Sequence, residues 1–410
     1  MVAAAPFFYF PQRFPAWGPV VGLLILAFGW GWRRYKLGCW RLRTPADWPL
    51  LVLLLLLPLA VWVPPTLLRD EYSYPRALIL AWNIALFSSL NVHSARSSRL
   101  RVIIAGGMIG VTTAIALAAL FGTRWENKLP FMSGLLSRLP RFAVGAFGAE
   151  YGFSPNQLAG TILYALPFAI AWFVMLVRRR EWQGSAMLAC AAAIMFLVLV
   201  ASQSRAGLVG FVVGLAIMAL APTRWGRWVL GICTTAVLVA LLLPNTPAAL
   251  LRLDDTTKVQ HAMESTSIAG RFEIWSRAVQ GLQDFPLTGV GLGAFRGVIH
   301  HLYPSMILAP DFDVAHAHNF FLQTGLDFGV VGLAALLAIY MLAAVQIRYL
   351  WRSASFVGHR YWAIGLFATL AGQTIYSMFD AVAMGSKTNL LFWWLLGIIF
   401  GISTIGAEGE

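Results

Sequence analysis

Three short stretches of this sequence put charged or titratable side chains beside residues that pin the backbone. They are Ser202-Gln203-Ser204-Arg205, Gly270-Arg271-Phe272-Glu273-Ile274-Trp275, and His316-Ala317-His318-Asn319. Arginine presents a planar fork of donors that matches phosphate in bidentate fashion. Histidine, with an unperturbed pKa of roughly 6.5, can serve as a neutral base near physiological pH. The chemistry open to such a set is anion binding combined with proton transfer.

Each stretch also has a plainer reading. Ser202 to Arg205 interrupts two apolar runs and reads equally as a solvated hairpin turn, but Gly207, Gly210 and Gly214 follow it at close-packing spacing. A histidine at a membrane interface is commonly structural. The second histidine two positions away, the adjacent Asn319, and the meeting of this cluster with the long loop at one bilayer face favour a functional role; Asn319, Gln323 and Asp327 rise along one side of the next helix. Asp311 and Asp313 followed by His316 and His318 offer oxygen and imidazole donors for a metal, although no fixed ligand spacing is matched. Asp70-Glu71 is another source of a catalytic acid, unless Arg69 and Arg76 neutralise it as an interfacial ion-pair group.

The elements that must position these residues are membrane helices. Of 410 residues, 59% are apolar and 11% charged, and the mean hydropathy is +0.72, which excludes a soluble globular domain. The net charge of +13 falls largely in short tracts between apolar runs, so it marks orientation and not a bound nucleic acid. Cys39, Cys190 and Cys233 are isolated, so neither a disulfide framework nor a metal knuckle is expected. The first apolar run lacks a basic leader and a cleavage site and is expected to be retained.

Runs of about 20 residues, the length that crosses a bilayer, are placed near 17–32, 46–63, 77–92, 102–121, 157–177, 184–201, 206–222, 228–243, 319–347, 361–379 and 389–406. The predicted fold class is therefore an all-α polytopic membrane protein with about 11, or 11–12, transmembrane helices. Basic, acid-poor connections such as RRYKLGCWRLR and SARSSRLR are assigned to the cytoplasm. Arg69 to Glu71, Ser202 to Arg205 and the segment Pro244 to His318 then share the opposite face. On this count MVAAAPFFYFPQRF starts outside, which leaves room for a twelfth, re-entrant helix.

Three regions follow: an N-terminal transmembrane bundle (1–243), a large outer loop with an amphipathic helix (244–318), and C-terminal transmembrane helices (319–410). In the loop, Ser267 is placed to cap a helix that Pro286 stops. On a helical wheel Phe272, Trp275, Ala278, Val279 and Leu282 share an apolar face with Arg271, while Glu273, Arg277, Gln280 and Asp284 lie opposite. Arg277 can pair with Glu273 in solvent; Arg271 must snorkel or find an anion.

Taken in order, Ser154-Pro155-Asn156-Gln157-Leu158-Ala159-Gly160, the Ser202–Arg205 turn, the Gly270–Trp275 stretch, Pro286-Leu287-Thr288-Gly289-Val290-Gly291-Leu292-Gly293-Ala294-Phe295 and His318-Asn319-Phe320-Phe321-Leu322-Gln323 with Gly329-Val330-Val331-Gly332 resemble the O-antigen ligase-related family. That family comprises membrane glycosyltransferases: O-antigen ligases, O-antigen polymerases and bacterial protein O-oligosaccharyltransferases. The resemblance covers residues from about 150 to 335; the N-terminal third resembles it only as a stack of helices.

The resemblance implies a GT-C-like, metal-independent, inverting enzyme without a cofactor in the bacterial inner membrane, its site on the periplasmic face. The donor would be a glycan on undecaprenyl pyrophosphate. Arg205 and Arg271 would hold the pyrophosphate, His318 would deprotonate or orient the acceptor hydroxyl, and Ser204, His316, Asn319, Gln323 and Trp275 would bind substrate. A departing pyrophosphate gathers negative charge, which fixed guanidinium groups stabilise. The partners expected are this donor, a glycolipid or glycan acceptor and the bilayer. Among acceptors a lipid A core, as in a ligase, is preferred to a growing chain, as in a polymerase. Asp311-Phe312-Asp313 is similar to the manganese motif of nucleotide-sugar glycosyltransferases, whose soluble donors belong to the other face of the membrane. A non-catalytic polyprenyl-lipid transporter is the alternative from another class, and it would show polar residues lining several spans.

Overall fold

The computed structural model describes residues 1–123, 125, 134, 138, 153–220, 268–304, 314–352 and 357–403. In chain order its longer helices are α1 (Ala5–Tyr9), α2 (Gly18–Leu37), α3 (Asp47–Trp62), α4 (Tyr74–Arg96), α5 (Ser98–Gly122), α6 (Pro155–Leu163) and α7 (Leu166–Arg178). There follow α8 (Trp182–Ala201), α9 (Arg205–Leu220), α10 (Ile268–Asp284), α11 (Phe295–Leu302), α12 (Phe320–Arg352), α13 (Val357–Ser377) and α14 (Leu390–Ser403). Among the described residues there is no strand, only an isolated bridge between Thr123 and Phe153. The all-α expectation therefore holds.

Among the described residues, five helical stretches are long and apolar enough to cross a membrane: Thr66–Arg96, Ser98–Gly122, Pro155–Arg178, Trp182–Ala201 and Phe320–Arg352. Asp47–Trp62, Arg205–Leu220 and Lys387–Ile402 are shorter apolar helices. Of the spans expected from sequence, 228–243 lies outside the described residues, 157–177 is divided between α6 and α7, and each of the others falls on one helix over its described residues. Asp311, Asp313 and Ser267 also lie outside them.

The chain divides into two compact units that are not consecutive in sequence. The first comprises residues 1–104, 260–346 and 381–410. Here α4 and α14 approach closely because Gly397 faces Leu90 and Gly401 faces Ser94, where any side chain would collide. The N-terminal segment folds back, so that Ala4 and Phe8 join a core with Leu26 of α2 and Trp82, Ala85 and Leu86 of α4. Tyr9 donates to the buried Asn83 at 2.7 Å.

The second unit comprises residues 105–259 and 347–380. Glycines on α9 do what their spacing predicts: Gly210 meets the Gly372 carbonyl of α13, Gly214 the Ala368 carbonyl, and Gly207 the Ala159 side chain of α6. Aromatic rings of Phe168, Trp172 and Trp362 fill the space between α7 and α13. The Tyr376 hydroxyl donates to the Asn156 carbonyl at 2.8 Å and its ring covers Gly160, which fixes the start of α6.

Candidate functional site

In the first unit the candidate chemistry is assembled around a break in α12. Gly329 adopts φ 72° and ψ −176° inside this helix. In a continuous helix the Val330 N–H would bond the Leu326 carbonyl. Instead it turns to the Pro286 carbonyl at 2.7 Å, and Leu326 accepts the N–H groups of Val290 at 2.7 Å and Gly291 at 3.2 Å. The loop thus supplies what the helix gave up.

Helix α3 makes a matching exchange. Its Ala60 carbonyl would look to residue 64, but Pro64 has no N–H, and the Leu292 N–H takes its place at 2.8 Å. Such contacts require backbone nearly in contact with backbone. A Cβ on Gly289 (φ 64°) would lie 2.2 Å from the Leu326 oxygen, and one on Gly291 (φ 99°) 2.3 Å from Pro64. This is the physical reason for the glycine run in PLTGVGLG.

The same loop meets a buried polar chain. Asp327, fully buried on α12, accepts the Gly293 N–H at 2.9 Å and the Gln323 carboxamide N–H at 2.8 Å, both on Oδ1. At its other end Gln323 accepts the Ala317 N–H at 2.8 Å, between the two histidines. Arg76 of α4 lies against Gly293 and within electrostatic range of Asp327. Arg296 of α11 stacks over Tyr72, 5.3 Å from its ring, and bonds the Tyr72 hydroxyl at 3.1 Å. Sequence reasoning missed this use of Asp327 and Arg76. The available signal was Gln323 and Asp327 at i,i+4 in a membrane helix, where a carboxylate is costly.

The His316–Asn319 turn enters α12 through a cap: Asn319 Oδ1 accepts the N–H groups of Phe321 and Leu322, each at 3.0 Å. His318 sits in the left-handed region at φ 45°, a conformation that tertiary contacts must hold. Its carbonyl accepts the Trp275 indole N–H at 3.4 Å and its N–H donates to His316 Nδ1 at 3.2 Å. An accepting Nδ1 makes His316 a neutral imidazole protonated on Nε2. The two rings are 4.4 Å apart.

These contacts revise several expectations. His316 is buried and its Nδ1 is engaged within the turn. Gln323 is also buried, with both ends of its carboxamide hydrogen-bonded inside the protein. Asn319 Oδ1 serves as a helix cap, and the Trp275 N–H holds backbone.

Helix α10 presents Ile274 and Ala278 to a core with Val290, Phe295, Ile299 and Leu326. Arg271 is half-buried on this helix, and its Nε makes no hydrogen bond among the described residues. Arg277 pairs with Glu273 at 2.6 Å as expected, although the pair is mostly covered and not in free solvent. Phe272 and Val279, on the apolar face of the wheel, are 63% and 41% exposed. The wheel separates apolar from polar positions, but in a membrane protein lipid and core attract the same residues. At the end of α10 Tyr303 donates to Asp284 at 2.5 Å, and burial, with that carboxylate, pushes the phenol up to about 12.

In the second unit, Ser202, Gln203 and Ser204 are buried and only Arg205 is exposed, so this is not a solvated hairpin. Gln203 takes φ 51°. Ser204 Oγ accepts the Gly207 N–H at 3.3 Å, the geometry of an N-cap, which is the role this structure gives Ser204. Arg205 is thereby displayed at the first position of α9. Asp70 and Glu71 are exposed on a π-helical turn before α4, while Arg69 stacks on Trp62 and bonds the carbonyls of Trp62 and Pro64.

No curated protein matches the chain. A family model described as O-Antigen ligase matches residues 190–337, a stretch that holds Arg205, Arg271, His316 and His318. Residues 190–337 are thus similar to the O-antigen ligase family, in a chain whose described helices include several that are apolar enough to cross a membrane.

Proposed function

We propose that the protein is an inverting, metal-independent membrane glycosyltransferase of GT-C-like architecture with about eleven spans. It would move a glycan from undecaprenyl pyrophosphate to an acceptor hydroxyl at the outer face of the bacterial inner membrane. A ligase acting on a lipid A-core acceptor is the reading preferred, with a polymerase using the same donor as its neighbour. The supporting observation is in the first unit: among the described residues the Arg271 Nε on α10 has no hydrogen-bond partner, and it lies one turn before Trp275, whose indole holds the His318 carbonyl.

In this reading Arg271 and Arg205 bind the donor pyrophosphate with charge-assisted bonds. The displayed guanidinium of Arg205 at a helix start adds the donor-rich end of α9. His318 removes the acceptor proton as the hydroxyl attacks the anomeric carbon and the pyrophosphate leaves with the bonding pair. His316, neutral and anchored, shapes the turn. The match over 190–337 supports the chemistry as a class; the acceptor preference rests on the family resemblance.

The test is transfer in vitro by purified protein, given a defined undecaprenyl-pyrophosphate glycan and a choice of lipid A core, repeat unit or protein. Transfer to lipid A core unaffected by EDTA is expected. Two imidazoles at 4.4 Å could instead share a cation, and EDTA-sensitive activity restored by manganese would establish that reading. Reporter fusions at Lys258 and Gly385 should face the periplasm, and those at Arg180 and Arg227 the cytoplasm. A cytoplasmic Lys258 ends the polyprenyl-donor reading.

A further inference from the structure

We infer that Gln323 and Asp327 are positioning residues that set the height and orientation of the His316–His318 turn. The turn lies outside any regular element, and its Ala317 N–H is held by one group, the Gln323 Oε1 at 2.8 Å. A carboxamide can bind either way round, with oxygen or nitrogen forward. Asp327 removes that choice. Its Oδ1 already accepts the Gly293 N–H, and as a pure acceptor it demands the NH₂ end of Gln323. The oxygen is then left to face Ala317.

The arrangement joins two loops through one carboxylate: Gly293 in the glycine run and Ala317 between the histidines. Both hydrogen bonds of Gln323 lie in the buried interior, where each is strong and costly to leave unmade. A shift of the turn moves the His318 ring, and misplacement by about 1 Å can cost on the order of a hundredfold in rate. The inference rests on the proposed role of His318.

It is tested by reversing the polarity of the pair in the full-length protein. Gln323→Glu loses the donor to Asp327 and sets two carboxylates together. In Gln323→Glu/Asp327→Asn the Asn oxygen keeps the Gly293 N–H, the introduced Glu accepts Ala317, and the Asn amide N–H offers that Glu a donor in place of a second carboxylate, so the repulsion is removed and the chain re-forms with a small side-chain rotation. Two readouts are needed: transfer kinetics, and the rate at which diethyl pyrocarbonate modifies His318, read by peptide mass spectrometry, with melting in detergent as the control for folding. The single variant should lose roughly tenfold to a hundredfold in kcat with donor KM unchanged, and its His318 modification rate should change. The double variant should recover both.

If Gln323→Glu does not fold, Gln323→Met, of similar length and without charge, should show the same kcat loss. A single variant with unchanged kcat and unchanged His318 reactivity overturns the inference while leaving the transferase reading intact. So does a folded double variant that stays as impaired as the single. Wild-type protein that transfers no glycan, with His318 reactivity following the predicted pattern, overturns the transferase reading and leaves the positioning role standing.

Discussion

The Ser202–Arg205 and His316–Asn319 turns are built alike and used differently. Each contains a non-glycine residue in the left-handed region, Gln203 at φ 51° and His318 at φ 45°. Each ends in a side-chain cap, Ser204 for α9 and Asn319 for α12. In the first the chemical group follows the cap: Arg205 stands exposed at the helix start, directly after the serine that caps its own helix. In the second the chemical group precedes the cap, inside the turn, and distant elements hold it through Trp275 and Gln323. A long guanidinium that must find an anion tolerates a local mount. An imidazole that must meet one proton needs a braced one.

The sharpest way to break this comparison is to remove the imidazole. His318→Ala should lower transfer by about 10² to 10⁴-fold, the usual contribution of a general base, while donor binding persists. If Arg205→Ala gives the same profile with donor affinity intact, the two turns do not divide the labour as described. A smaller effect is expected from removing the guanidinium fork but keeping its charge. Arg271→Lys and Arg205→Lys should each cost about tenfold or more, with weakened donor binding, whereas Arg277→Lys, whose side chain is occupied by Glu273, should be nearly silent. Equal losses at 271 and 277 in folded protein would show that the fork is not what matters. The smallest effects belong to the caps: Ser204→Ala and Asn319→Ala should each cost about 1 kcal/mol of stability. Only Asn319→Ala should also slow transfer beyond what its stability loss explains, because its turn carries the base.

Local and periodic signals made much of this legible in the sequence. Hydropathy located the helices, i,i+4 spacing gave the Arg277–Glu273 pair, and the Gly207, Gly210 and Gly214 spacing anticipated close packing on α9. Signals that need a partner far along the chain were silent. Nothing near Gly293 announces that its N–H reaches Asp327, and nothing near Pro64 announces that its missing N–H leaves Ala60 for Leu292. For the same reason Gln323 resembled a substrate ligand: a polar residue near a histidine pair looks alike whether it faces a ligand or the protein. Phe272 and Val279 lie on the apolar stripe yet stand exposed, because periodicity reports polarity and not which apolar surroundings a side chain enters.

The exchange of partners at Gly329 has a further consequence. By secondary structure, residues 286–293 are turns and bends, the kind of segment whose amides ordinarily exchange with solvent deuterium in seconds. Yet the amides of Gly289, Val290, Gly291, Leu292 and Gly293 are all engaged, the last four with α3 and α12. Deuterium can enter them only when the loop lifts off both helices together. This stretch should therefore exchange as slowly as the helices it joins, and in step with the Val330 amide beyond the break.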